Sequence, residues 1–420
     1  MSRKIFAAGI VICIVMASIT FLAGCTEEPE PEPGDERPVI VADDSEATPE
    51  GIAQTANGSN QFALDFFLKL SDDEENIFFS PYSISVALAM TYEGARGPTA
   101  EEMQSVLHFP EDDTVRRSSF AALHNHINNN SNEYLLSTAN ALWAQKNYPF
   151  LAEYFNIIER YYAGNASNLD FVGEPEKSRV TINDWVEDQT NDKIKDLIPK
   201  GQIDEWTRLV LTNAIYFKAN WLTQFDKDDT RDSDFFVDSE TTVTVPMMSI
   251  RDESFNYYST SGLEVLELPY EGEDLSMLIL LPSEGQMDSL ESNLTLENLA
   301  EWRSNLRNRE MDIYIPKFKF ETKYLMNDNL KEMGMPTAFT DSADFSGMNG
   351  KKNLYIAFVI HQGFIDVNEE GTEAAAATAV GISETCVPPS FNANHPFIFL
   401  IQDNETGNIL FMGRVTDPSQ

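Results

Sequence analysis

The sequence predicts one large domain of the α+β class that folds without disulfide bonds. From Ser59 onward, about 360 residues show mixed helix and strand patterns, and no second linker interrupts them. Residues 209–221 are apolar on both faces, which is typical of a strand covered by helices on both sides. Residues 315–320 alternate apolar and polar side chains, so one face of that strand is predicted to be wet. Only Cys386 remains as a cysteine in this domain, so core burial alone must stabilise it.

The N-terminus carries a processing signal. Two basic residues precede the apolar run 5–21, and Leu22-Ala23-Gly24-Cys25 then resembles a lipobox, in which the cysteine receives a diacylglycerol. An uncleaved transmembrane anchor is the alternative, because the run approaches the roughly 20 residues that span a bilayer. We favour a lipoprotein signal peptide at residues 1–24 with lipidation of Cys25, because acidic sequence follows at once. Both interpretations predict an exported, tethered protein.

Residues 25–58 have the composition of an acidic, Pro/Glu-rich linker. The run Glu27-Glu28-Pro29-Glu30-Pro31-Glu32-Pro33 cannot bury enough apolar surface to fold, and its prolines and like charges keep it extended. The predicted organisation is therefore a signal at 1–24, a linker at 25–58 and a folded domain at 59–420.

Charge and motif content exclude several classes of function. A formal net charge of −39 disfavours nucleic-acid binding, because phosphate contacts need a basic surface. The five histidines are too scattered to predict a metal site. No phosphate loop, zinc-protease motif or nucleophile elbow is present. We therefore expect no catalytic residues, no metal and no cofactor.

The segment 369–380 contains four consecutive alanines between two predicted apolar strands, 355–367 and 396–400. Alanine favours helices and is depleted in strands, yet no capping residue or amphipathic face supports a helix here. One interpretation is a short helix or an alanine-rich linker. The other is a segment with two allowed states: a solvated loop, and a small-residue strand that slips between two existing strands.

Two motifs decide between these interpretations. Residues 371–378, Gly-Thr-Glu-Ala-Ala-Ala-Ala-Thr, closely resemble the hinge at the start of the reactive-centre loop of inhibitory serpins. Residues 391–399, Phe-Asn-Ala-Asn-His-Pro-Phe-Ile-Phe, resemble the family signature just after that loop. The likeness extends over about residues 59–420, and with the lipobox it resembles a prokaryotic lipoprotein form of the family. It implies the serpin fold, with three β-sheets, about nine helices and an exposed reactive-centre loop.

The resemblance also implies specific site residues. Four of them would form the shutter, a set of hydrogen bonds under the point where the main sheet opens, and Trp221 would mark the place where the loop first enters. His361 could equally be an ordinary core histidine, which is compatible with a structural role in the shutter. The shutter residues are Ser80, Ser83, Asn213 and His361. The hinge residues are Glu369, Gly371, Thr372, Glu373, Ala374, Ala375, Ala376, Ala377 and Thr378.

Family spacing from Gly371 and from Pro396 implies a reactive bond at Thr385–Cys386, good to about one residue. A small, β-branched Thr385 suits the shallow, apolar pockets of subtilisin-like or elastase-like serine proteases; a cysteine protease is a further alternative. Thr372 is the first hinge side chain expected to turn inward on insertion, and we expect it near the surface before cleavage.

Two functions remain open after this comparison. One is a protease inhibitor that acts as a suicide substrate. The other is a non-inhibitory serpin that serves as a cell-surface binding or structural protein. Carriers of the family typically lose the small-residue hinge, which this chain keeps. We expect a monomer at the cell surface, lipid-anchored or extracellular.

Thr99 and Glu102 are predicted to form a capping box at a helix start.

Overall fold

The computed structural model describes residues 41–71, 75–129, 133–372 and 389–420. Cys25, residues 373–378 of the hinge and the bond 385–386 lie outside the described residues. None of the helices within these described ranges combines the length and the hydrophobicity that a membrane span requires.

Ten α-helices and fifteen β-strands are found among these residues. The helices are α1 (Pro49–Leu70), α2 (Pro81–Tyr92), α3 (Gly97–Leu107), α4 (Asp113–Ile127), α5 (Ala152–Tyr162), α6 (Pro175–Gln189), α7 (Met287–Ser292), α8 (Leu296–Asn305), α9 (Asn327–Met333) and α10 (Ser346–Asn349). The strands are β1 (Ile77–Phe79), β2 (Tyr134–Gln145), β3 (Asn165–Leu169), β4 (Leu209–Asn220), β5 (Arg231–Phe236), β6 (Thr242–Ser259), β7 (Leu263–Pro269), β8 (Leu275–Pro282), β9 (Arg307–Pro316), β10 (Phe318–Leu325), β11 (Ile356–Val367), β12 (Gly371–Thr372), β13 (Ser390–Asn392), β14 (Phe397–Asp403) and β15 (Ile409–Val415).

The strands form two hydrogen-bonded sheets. The main sheet has the order β10-β11-β12-β4-β2-β3, with β11 also pairing directly with β4. The second sheet runs β1-β15-β14-β8-β7-β6-β9-β13, and β5 pairs with β6. Three sheets are expected from the sequence, and two are found among the described residues. The long strand β6 pairs with β5, β7 and β9 along its length and so joins strands of two expected sheets into one.

Helices cover both faces of the main sheet. Helix α2 is buried on all sides, as its uniformly apolar sequence requires, and it contacts β2, β4 and β15. On the opposite face, Ile182 and Val186 of α6 pack with Val210 and Ala214 of β4 in a second apolar cluster. The predicted burial of β4 on both faces is confirmed, because every residue from Leu209 to Phe217 is buried.

The run 315–320 is divided between two strands, whereas the sequence predicts one. Pro316 ends β9 in the second sheet, and Phe318 begins β10 in the main sheet, so Lys317 separates two strands. Within β10 the side chains alternate between more and less exposed positions, as the sequence pattern predicts for a strand with one wet face.

The predicted linker boundary at residue 58 is wrong. Thr48 caps α1 by accepting a hydrogen bond from the Gly51 amide at 3.1 Å, and proline follows at the first helical position. Ahead of the helix, the Ala42 amide donates to Asn125 Oδ1 at 2.9 Å. Asp43 pairs with Arg160 of α5 at 2.5 Å. Residues 49–58 are therefore helical, and the folded part reaches back to the start of the described residues at position 41.

The predicted capping box at Thr99 and Glu102 is also wrong. Helix α3 begins two residues earlier, at Gly97, and has no side-chain cap. Thr99 Oγ1 instead accepts from the Asp344 amide at 3.0 Å, and Glu102 accepts from the amide and hydroxyl of Thr337 at 2.9 and 2.7 Å. Long-range partners have replaced the local ones.

Candidate functional site where the main sheet opens

The main sheet is closed along most of its central strand pair and parted at one end. Strands β11 and β4 run parallel and pair from Ile356–Leu209 to Gly363–Ile215. Beyond that point β12 lies between them and is antiparallel to both. It pairs Thr372 with Val367 on one side and with Ala219 on the other. Gly371 and Thr372 of the hinge thus already form a short strand inside the sheet.

The expectation that Thr372 lies near the surface is wrong. Its side chain is 2% exposed, and its Oγ1 lies 2.9 Å from the hydroxyl of Tyr270, which is also buried. Because the backbone of Thr372 pairs with both neighbouring strands, the side chain must turn to one face of the sheet, and it turns inward onto Tyr270.

Close backbone contact explains the glycine before Thr372. A Cβ atom at Gly371 would lie 2.0 Å from the carbonyl oxygen of Ala219 and 2.7 Å from the Cα atom of Asn220. No side chain fits there without moving β4, because both nearest atoms belong to the backbone. Position 371 therefore admits only glycine in this state.

Trp221 holds the chain just before the hinge. Its backbone amide donates to the carbonyl of Glu370 at 2.9 Å, and its indole Nε1 donates to the carbonyl of Asn368 at 3.0 Å. The indole ring stacks on Tyr270 with the ring centres 4.6 Å apart. The tryptophan therefore lies where the loop enters the sheet, in contact with the same tyrosine that meets Thr372.

Two buried carboxylates precede Gly371. Glu369 is 3% exposed; it receives hydrogen bonds from Lys317 Nζ at 2.7 Å and from Thr230 Oγ1 at 2.8 Å. Burial opposes its ionisation, but these bonds outweigh burial and hold the pKa of Glu369 below its usual value. Glu370 is 4% exposed and pairs with Lys227, whose pKa this hydrogen bond raises. Two lysine–glutamate pairs thus fix the two residues that precede Gly371.

The four predicted shutter residues lie together. The Ser80 amide donates to His361 Nε2 at 3.2 Å, and the Ser83 amide donates to Ser80 Oγ at 3.2 Å. Asn213 Nδ2 donates to Ser83 Oγ at 2.6 Å. Because Nε2 of His361 accepts, its Nδ1 carries the proton and donates to Asn213 Oδ1. The network joins the start of α2 to β4 and β11.

His361 is completely buried, and burial lowers its pKa to about 3. The Tyr324 ring lies parallel to the imidazole with the centres 6.5 Å apart. Protonation would place a second N–H opposite the Ser80 amide, so two donors would face each other. The imidazole is therefore neutral, and the closed sheet depends on that neutral form.

Asn140 of β2 belongs to the same network but was not predicted. Its Oδ1 accepts from Ser83 Oγ at 2.9 Å and also from Asn213 Nδ2. Its sequence signal is a lone amide in the otherwise small and apolar run Ala139-Asn140-Ala141-Leu142. Glu370 was missed as well, although two successive glutamates before the hinge glycine are visible in the sequence.

A central parallel strand pair that parts to admit the chain's own hinge, above a buried polar shutter, defines a serpin-type protein. The chain belongs to the serpin family: residues 57–418 match the family described as Serpin (serine protease inhibitor). Within the described ranges, no group of three or more His, Cys, Asp or Glu side chains is placed to hold a metal ion.

Relatives of several kinds share this sequence and fold. An uncharacterized serpin-like protein of Thermococcus kodakarensis is 43% identical and covers 97% of this chain and 98% of its own length. The human leukocyte elastase inhibitor is 42% identical over 87% of this chain and 100% of its own. Uncleaved ovalbumin matches with a TM-score of 0.81 at 33% identity, covering 87% of this chain and 100% of its own. Human thyroxine-binding globulin matches with a TM-score of 0.81 at 31% identity, covering 88% and 100%.

Proposed function

We propose that this chain inhibits a serine protease as a suicide substrate. The observation that carries the proposal is the Gly371–Thr372 strand, which stands between β11 and β4 at the base of the loop. In the proposed reaction the serine of the protease attacks the carbonyl carbon of Thr385. The bond to Cys386 breaks, and an ester links Thr385 to the protease. Subtilisin-like and elastase-like proteases are the proposed targets.

Insertion of the cleaved hinge would then trap the protease. The inserted strand replaces one parallel pairing, β11 with β4, by two antiparallel pairings, which are slightly more stable per residue. Residues 371–385 at about 3.3 Å per residue span roughly 50 Å, enough to carry the acylated protease along the domain. A dozen or more new backbone hydrogen bonds at about 1 kcal/mol each make the step effectively irreversible.

The small side chains of the hinge suit this step. Thr372 faces inward, so the period of two along a strand places residues 374, 376 and 378 on the same inward face. Alanine and threonine at these positions enter without displacing the core, whereas a charged side chain would be desolvated there without a partner. Fast insertion matters because deacylation would otherwise release the protease.

A non-inhibitory serpin that serves as a cell-surface binding or structural protein is the second candidate. It is favoured by the likeness to thyroxine-binding globulin, whose name states a binding role. The hinge sequence supports the inhibitor instead. For either function we propose a monomer. We also propose that residues 1–24 direct its export and that a lipid on Cys25 anchors it, because the lipobox precedes an acidic linker.

The decisive experiment is incubation with subtilisin, pancreatic elastase, papain and trypsin, followed by electrophoresis in SDS. An inhibitor gives an SDS-resistant complex with subtilisin or elastase. Ala374→Arg and Ala375→Arg form a matched pair, because their side chains would point to opposite faces of the inserted strand. The first should convert the inhibitor into a substrate, and the second should still trap. Cleavage without any complex for the wild-type chain favours the second candidate.

A further inference from the structure

The seam between β11 and β4 has a short gap next to the hinge. The two strands pair directly as far as Gly363 and Ile215, and β12 stands between them from Val367 and Ala219 onward. Among the described residues, positions 364–366 of β11 and 216–218 of β4 have no partner across the seam. These two stretches line a seam gap that would receive the next residues of an inserting hinge.

The register of β12 identifies the residue that would enter this seam gap first. Thr372 lies opposite Ala219 of β4, and the pairing is antiparallel. One step along each strand therefore places Glu373 opposite Lys218. Because Thr372 faces inward, Glu373 would face outward, on the same side of the sheet as Lys218.

On the β11 side the same step places Glu373 opposite Asp366, a carboxylate that already has a partner. Lys319 of β10 is paired with Asp366 in the sheet, and its Nζ lies 2.9 Å from Asp366 Oδ2. Lys319 therefore offsets the repulsion that Asp366 exerts on an incoming glutamate. Across the inserted sheet the order would be Lys319, Asp366, Glu373 and Lys218, with two carboxylates between two lysines.

Lys218 differs from the other lysines around the hinge because it lacks a carboxylate partner. Lys227, Lys317 and Lys319 each form an ion pair with a glutamate or an aspartate of the segment 366–370. Lys218 is half-buried, and none of the described carboxylates forms an ion pair with it. On its other side β2 presents an apolar residue, Leu135. A carboxylate that enters the seam gap would therefore be the first partner of this ammonium group.

We propose that Glu373 and Lys218 form an ion pair when the hinge enters the sheet, and that this pair favours the first step of insertion. Directly opposite residues have Cβ atoms about 4.5–5.5 Å apart, within reach of these two side chains. Lys218 is then a positioning residue for the proposed inhibitory function, on which the pair rests, because it touches neither the protease nor the reactive bond. The pair forms one residue beyond Thr372, so it would act early, before deacylation releases the protease.

Neutral variants test the pair through the ratio of cleaved inhibitor to trapped protease, read from SDS gels with the protease that the wild-type chain traps. Lys218→Gln and Glu373→Gln should each raise this ratio by about twofold to fivefold, the range for one cross-strand ion pair. The double variant should lie no higher than the single variants, because either change alone removes the whole pair. Effects that multiply in the double variant would contradict the pair.

Charge reversal gives a larger effect and carries its own rescue. In Lys218→Glu the incoming Glu373 would lie between two carboxylates, and the ratio should rise by at least about tenfold. Addition of Glu373→Lys should bring the ratio back to within about threefold of the wild type, because a lysine would then lie between the same two carboxylates. A double variant that traps no better than Lys218→Glu overturns the pair.

The intact protein distinguishes a positioning role from a merely structural one. Because Lys218 holds no described carboxylate before cleavage, Lys218→Glu should leave the melting temperature of the intact protein within about 1 °C of the wild type. Lys195→Glu, at an exposed position after α6, makes the same change of net charge and should change neither the ratio nor the melting temperature. A loss of stability in intact Lys218→Glu as large as in the cleaved variant would assign Lys218 a structural role and overturn the proposal.

Melting temperatures also separate failure of the pair from failure of the inhibitory function. Cleaved Lys218→Glu should melt about 2–4 °C below the cleaved wild type, whether or not any protease is trapped. If the wild type is cleaved without trapping but melts higher after cleavage, the inhibitory function fails, and this difference alone decides on the pair. Equal melting temperatures of the two cleaved proteins, or no gain on cleavage, overturn the pair.

Discussion

The hydroxyl of Thr372 lies 2.9 Å from the hydroxyl of Tyr270, and both side chains are buried. Tyr270 in turn stacks on Trp221, which holds the backbone carbonyls of Glu370 and Asn368, just before the hinge glycine, by its amide and its indole. Gly371 and Thr372 of the hinge therefore already lie as a short strand between β11 and β4. The proposed insertion would extend this existing strand.

Thr372→Arg should destabilise the intact protein as well as abolish inhibition. The arginine would have to enter a buried position opposite Tyr270, at an expected loss of about 3 kcal/mol or more. Chemical denaturation gives the stability, and Thr372→Val is the matched control, with a smaller expected loss of about 1–2 kcal/mol because the buried Tyr270 hydroxyl loses its partner. An arginine variant as stable as wild type would show that Thr372 is not seated in the sheet.

Asn140→Ala should weaken the closed sheet. It leaves the buried hydroxyl of Ser83 without its acceptor and removes one of the two acceptors of the Asn213 side-chain amide, which keeps its bond to Ser83 Oγ; the expected cost is about 1–3 kcal/mol. Thr138→Ala, on the same face of β2, should cost less than about 1 kcal/mol. The two melting temperatures make the comparison, and equal losses would mean that Asn140 has no special part in the shutter.

Acid should act on the protein through His361. In the unfolded chain this imidazole titrates near 6.5, whereas burial lowers its folded-state pKa to about 3. Between these values only the unfolded chain binds the proton, so the stability that depends on neutral His361 is complete above pH 6.5 and declines as the pH falls toward 3. His361→Gln should therefore be less stable than wild type at pH 7 but lose less between pH 7 and pH 4.5. Parallel melting profiles for the two proteins would contradict this assignment.

A rise in pH should lower the stability of the protein through His126, whereas a fall in pH lowers it through His361. Asp403 lies 2.8 Å from its Nε2, and this hydrogen bond raises the pKa of His126 above 6.5. The contribution of the pair is present below pH 6.5 and disappears as the pH rises through the folded-state pKa. One third of the His126 side chain is exposed, so we expect at most about 1 kcal/mol. His126→Gln should lower the melting temperature at pH 6 and leave it unchanged at pH 9; equal effects at both values would exclude an ionic contribution.

The sequence predicts the strands from their residue pattern, whereas it predicts most of the shutter only through the resemblance to a family. Strand β4 follows from its apolar residues alone. Ser80, Ser83, Asn213 and His361 are far apart in the chain, and nothing in their spacing brings them together, so only the family resemblance identifies them as one site. Asn140 was missed because a single amide within a strand does not differ locally from an exposed one.

The errors share a physical origin in contacts between distant parts of the chain. Thr99 and Glu102 have the spacing of a capping box. Thr99 instead accepts a hydrogen bond from the amide of Asp344, and Glu102 accepts one from the amide of Thr337. The period of two shows which way Thr372 faces, but it does not show how far the hinge has entered the sheet. The helix start at Thr48 and Pro49 is a recognisable local signal that the acidic composition around it concealed.

We propose that the loop becomes a strand of the main sheet after cleavage, and the melting temperature tests this insertion most directly. Protein cleaved at Thr385–Cys386 should gain a dozen or more backbone hydrogen bonds, each worth about 1 kcal/mol. At about 2 °C or less per kcal/mol for a domain of this size, its melting temperature should rise by roughly 10–20 °C over the intact protein. Intact and cleaved proteins that melt at the same temperature would contradict the proposed insertion.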